Sequence, residues 1–60
     1  MTKEAKRVIE LEADIIRWSA DLEFYKGLLS RNPNDKMVQE DIAGLESVIL
    51  RAKSYIKAVA

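Results

Sequence analysis

The sequence predicts an all-α fold: an antiparallel helical hairpin of two long helices joined by a short Asn-Pro turn, assembling as a homodimeric four-helix bundle. Three observations lead there. Apolar residues recur at three- and four-residue spacing through both halves of the chain, the mark of amphipathic helices. The only cluster of turn formers, Ser30-Arg31-Asn32-Pro33-Asn34-Asp35, lies in the middle. Finally, a chain of 60 residues buries only about 60% of the surface its unfolded form exposes. It contains neither Cys nor His, so no disulfide and no soft metal ligand reinforces it, and oligomerisation is the remaining source of stability.

Helix 1 is expected over about residues 2–30. Thr2 is its candidate N-cap and Glu4 a carboxylate in the first turn, while Ala5 in third position rules out a full capping box. Val8, Ile15, Leu22 and Leu29 form one column of a seven-residue repeat, and Leu11, Trp18 and Tyr25 form the second. Ile9 and Ile16 lie about 100° round the helix from Val8 and Ile15. They give helix 1 a second apolar face, bordered by the small residues Ala13, Ala20 and Gly27.

A residue before proline is pushed out of the α region, so Asn32 is the predicted N-cap of helix 2. Pro33 then takes the first helical position, where its missing N–H costs nothing, and Asp35 falls in the first turn. This places the turn at about 31–32 and helix 2 at about 33–59, within a single domain spanning 1–60. Helix 2 repeats the pattern, with Val38, Leu45, Ala52 and Val59 in one column and Ile42, Ile49 and Ile56 in the other. Val48 and Tyr55 widen its apolar face on one flank; Met37, Ala43 and Leu50 add more. Two stripes of one period joined by so short a loop can only pack antiparallel. The stripes together are wider than a two-helix contact covers, so these residues are expected to be core and oligomer interface.

Charge is balanced overall, with ten bases and ten acids, but not locally. Residues 1–9 and 50–60 meet at the open end of the hairpin and hold Lys3, Lys6, Arg7, Arg51, Lys53 and Lys57 against Glu4 alone, a candidate basic patch. The remainder is correspondingly acidic. An antiparallel pair of hairpins sets each basic end beside an acidic half, whereas a parallel pair stacks like on like. In helix 2 the same order of acids before bases also complements the helix macrodipole.

Chemistry-bearing motifs are nearly absent. With no imidazole or thiolate, a hydrolase triad or zinc site cannot be built. Glu40-Asp41, and Glu10 with Asp14, are carboxylate pairs of a kind that solvated helix faces carry routinely, and no metal or other cofactor is expected. There is no glycine-rich phosphate loop and no catalytic role is expected. No apolar stretch approaches a membrane span or a signal-peptide core, so a cytoplasmic location is expected.

The aromatic cluster is the one local feature that points to function. Phe24 lies about 100° from Tyr25 and falls on the flank of the stripe with Leu28. With Arg17, Lys26 and Arg31 around them, these two form a candidate surface for a partner protein. Phe24 would otherwise cap the core near the loop, close a larger oligomer, or offer a stacking platform to a base.

In length, central turn and the opening Met1-Thr2-Lys3-Glu4-Ala5-Lys6, the chain resembles Rop, the plasmid copy-number family of helical hairpins. Members of that family dimerise into four-helix bundles and bind paired RNA loops. The resemblance implies RNA binding through helix 1, at positions that correspond by simple register to Lys3, Glu10, Asp14, Trp18 and Tyr25. Only Lys3 matches in type, and two carboxylates on a phosphate-binding face would repel the ligand, so nucleic-acid binding is disfavoured. The expected function is a small homo-oligomeric regulatory or inhibitory protein with a protein partner, by analogy with small phage and plasmid proteins that block a host factor. Rop-like RNA binding, and a nucleotide pocket built from Trp18, Tyr25 and nearby arginines in an oligomer, are the alternatives.

Overall fold

A computed structural model describes residues 2–59 as two long helices packed side by side. Helix α1 spans Lys3–Arg31 and helix α2 spans Lys36–Val59. Together they form an antiparallel hairpin measuring 45 × 15 × 13 Å. Thr2 caps α1 as its residue type predicts: its backbone is extended, and its side-chain oxygen accepts from the Ala5 N–H at 3.1 Å. Helix α1 ends where the Asn32 N–H donates to the Leu28 carbonyl.

The start of α2 differs from the sequence expectation. The helix begins at Lys36 rather than Pro33, and its cap is Asp35 rather than Asn32. The Val38 N–H donates to Asp35 Oδ1 at 3.2 Å, and the Gln39 N–H donates to the Asp35 carbonyl at 3.1 Å. Residues 32–35 form a separate turn closed by the Asp35 N–H on the Asn32 carbonyl. Pro33 takes the second position of that turn, which its fixed φ suits as well as it suits the first position of a helix. Both sites accept an Asn-Pro pair, and the carboxylate three residues before Val38 decides between them. Gln39 secures the arrangement by donating from Nε2 to the Pro33 carbonyl at 2.8 Å.

The seam between the helices is the heptad stripe. Leu11, Val38, Ile49 and Ala52 are buried, and Val8, Ile15, Trp18, Leu22, Tyr25, Leu29, Ile42, Leu45 and Ile56 are half-buried. Val59, at the open end, is exposed. Among the described residues no side chain reaches complete burial, and the two helices form a single layer with nothing packed over the seam on either face. No residue can be enclosed on all sides.

A paired groove and two unlike flanks

Helix geometry gives the hairpin two long flanks, one on each side of the seam, and they differ in chemistry. The first holds an open groove of about 260 Å³. It is lined by Arg7, Leu11 and Trp18 of α1 and by Val48, Arg51, Ala52 and Tyr55 of α2, with Leu11 and Ala52 its buried members. These residues fix which heptad columns point to this side. Arg7, Asp14, Asp21 and Leu28 share one column of α1, and Lys3, Glu10, Arg17, Phe24 and Arg31 share the next. In α2 the matching columns are Asp41, Val48 and Tyr55, then Met37, Gly44, Arg51 and Ala58.

All four arginines and all four aromatic residues of the chain therefore lie on this flank or on the seam column beside it. Phe24 is 64% exposed and rests edge-on against Tyr25, with ring centroids 5.7 Å apart and planes at 71°. Leu28, in the next turn, is half-buried. Arg17 Nη2 donates to Asp14 Oδ1 at 2.6 Å, a charge-assisted hydrogen bond, and Arg7 Nη1 donates to Glu10 Oε2 at 3.5 Å.

The opposite flank has an apolar hollow at the open end, about 440 Å³ in volume and lined by Ala5, Val8, Ile9, Ile56 and Val59 together with Thr2 and Glu4. Further along, the inner columns are polar: Glu12, Ser19 and Lys26 on α1, and Gln39, Glu46 and Lys53 on α2. The apolar residues of this side, Ile9, Ile16 and Leu50, sit on the outer columns and are 54%, 73% and 66% exposed. Four lysines, Lys26, Lys36, Lys53 and Lys57, lie here and no arginine does.

Several residues grouped from sequence are separated by this geometry. Lys26 lies about 200° round α1 from both Phe24 and Leu28. It stands on the opposite flank and does not rim them. The six bases at the open end do share one end of the hairpin, but they fan around it: Lys3, Arg7 and Arg51 face the groove side, Lys53 and Lys57 the other, and Lys6 the back of α1. Trp18 shares its groove with Arg7, Arg51 and Tyr55 rather than with Tyr25. That pairing was open to a reader who laid the heptad columns of the two helices side by side, because antiparallel packing sets these flank columns opposite each other.

Among the described residues no group of three or more acidic side chains is gathered as a metal site, and no helix is long and apolar enough to cross a membrane. No protein-family model, curated protein or solved structure matches the chain. The fold and its flanks define a two-helix hairpin module.

Proposed function

We propose that this hairpin is a non-catalytic interaction module that works as a homodimer, two hairpins packed antiparallel into a four-helix bundle. In this reading it acts in the cytoplasm as a small regulator or inhibitor by binding a protein partner. The observation that carries the reading is the thinness of the single hairpin. Among the described residues four side chains are buried, while Ile9, Ile16, Phe24, Met37 and Leu50 each remain more than half exposed. These large apolar side chains fall into one set on each flank, and a second hairpin would remove one set from water.

Sedimentation equilibrium at micromolar concentration is expected to give the mass of two chains, with a thermal midpoint that rises with protein concentration. A monomer whose midpoint is independent of concentration would overturn the dimer. The basic open end favours a second reading, binding of structured RNA, which would appear as an affinity falling steeply with salt. The carboxylates Glu10 and Asp14 on the same flank as Lys3 and Arg7 weigh against it.

A further inference from the structure

We infer that the second copy sits on the flank that carries the arginines and aromatics, covering the groove between Arg7 and Arg51, and that the lysine flank with Ile9, Ile16 and Leu50 faces outward. The inference rests on the dimer proposed above and adds which surface makes it. Two observations favour this flank over the other, and a third bears on a second copy as what covers it.

The first is composition. Protein interfaces are enriched in Trp, Tyr, Phe, Met and Arg and depleted in Lys. Trp18, Phe24, Tyr55, Met37 and all the arginines are on this side, with Lys3 its one lysine, whereas four lysines and no arginine occupy the other. Arginine suits a covered surface because its guanidinium is more weakly hydrated than an ammonium and stacks on aromatic rings.

The second is the character of the inner columns, which a second layer of helices must cover. On the groove side they are Leu28, Val48 and Tyr55 with the charged Arg7, Asp14, Asp21 and Asp41; on the other they are Ala5, Ser19 and Gln39 with the charged Glu12, Lys26, Glu46 and Lys53. Each set holds four charges, but on the groove side Arg7 and Asp14 are already paired with Glu10 and Arg17, and the uncharged members there are the larger and more apolar ones, which favours covering that side.

The third is fit to a copy of the same chain. One side of the hairpin, 45 Å long and 15 Å wide, has room for the about 800 Å² per partner of a standard stable interface. In the antiparallel arrangement the open end of this flank, with Lys3, Arg7 and Arg51, overlies the rest of the second copy's flank, which holds Glu10, Asp14, Asp21 and Asp41 against Arg17 and Arg31. Trp18 lies near mid-length of the hairpin, so such a two-fold brings the two Trp18 side chains close to the axis.

The test compares two double variants by sedimentation equilibrium. Phe24→Asp with Val48→Glu should weaken dimerisation about 30-fold or more, the cost of losing an interface hot spot. Ile16→Glu with Leu50→Glu should change it no more than about 2-fold, as for ordinary surface substitutions. The opposite order, or a dimer that survives both, overturns the assignment while leaving the dimer standing. A monomeric wild-type chain instead overturns the dimer itself.

If the first variant fails to fold, hydroxyl-radical footprinting of the wild-type dimer answers the same question. Met37 and Phe24, 76% and 64% exposed in one hairpin, should be protected relative to the unfolded chain, while Ile16 and Leu50 stay reactive. Protection of Ile16 and Leu50 with reactive Met37 and Phe24 would refute the assignment.

Discussion

Replacing Asp35 by Ala tests where the second helix begins. The carboxylate accepts one hydrogen bond, from the Val38 N–H at 3.2 Å, at a site that is partly buried. It also places a negative charge at the positive end of the α2 macrodipole. Loss of an Asp cap costs about 1 kcal/mol, within a range of about 0.5–2. For a domain of this size each kcal/mol lowers the thermal midpoint by roughly 4–8 °C. Asn32→Ala, by contrast, removes a side chain that makes no hydrogen bond here and leaves intact the backbone bonds that end α1 and close the turn. It should shift the midpoint by no more than about 2 °C, in keeping with the small effect of most surface substitutions. Asp35→Asn divides the Asp35 effect further, because Asn caps nearly as well as Asp but carries no charge. Circular-dichroism melts of the three variants at one protein concentration make the comparison. If Asn32→Ala proves the more damaging change, α2 starts at Pro33 and the reasoning from the Asp35 bond is wrong.

In the seam, Ile49→Ala should cost about 2–5 kcal/mol, since Ile49 is 8% exposed and a truncated core side chain leaves a cavity. In urea titrations its midpoint should fall far below that of Ile16→Ala, and equal shifts would mean that the seam is misassigned. Gly27 and Gly44 each have open space where a Cβ would stand, and alanine is favoured over glycine within a helix by about 1 kcal/mol. Gly27→Ala, away from both flanks, should therefore raise the thermal midpoint; a decrease would point to a close neighbour at that column. The Asp14–Arg17 pair, with side-chain exposures of 25% and 71% in the single hairpin, lies on the flank assigned to the second copy, so its double-mutant coupling should exceed the about 0.2–1 kcal/mol of exposed pairs and respond weakly to added salt. A coupling within that range that shrinks with salt would mean the pair stays open to water and the flank is not the covered one.

The seam was legible because its signal is repeated: seven-residue spacing of Val8, Ile15, Leu22 and Leu29 leaves a helix one choice of inward face, and each added turn restates it. The N-terminal cap was legible for a related reason, since Thr2 is the only cap former beside the first apolar turn. The turn was less so. Asn32 and Asp35 are both good caps, Pro33 fits either the first position of a helix or the second of a turn, and the choice depends on a bond from Val38 and a reach by Gln39 across six residues. The grouping of flank residues failed for a different reason. Lys26 is near Phe24 and Leu28 in sequence but not in angle, while Arg7, Arg51 and Tyr55 are distant in sequence and meet only when the two helices are laid antiparallel.

The unequal legibility follows from the shape of the molecule. In a thick domain the interior outvotes local preference, so caps and turns yield to packing. In a rod one helix deep, four buried side chains exert little such force, and local signals keep their authority: the caps at Thr2 and Asp35, the turn at Pro33, the unbroken apolar period. The same thinness moves specificity outward. Residues that would be interior in a larger protein stand on the flanks, where their type rather than their periodicity distinguishes one side from the other. Leu and Ile on a seam say only that something packs there. Arginine beside tryptophan and tyrosine, against lysine beside glutamate, separates a surface suited to being covered from one suited to water. For a hairpin this small, the arrangement of polar side chains carries information about assembly that the apolar stripe cannot.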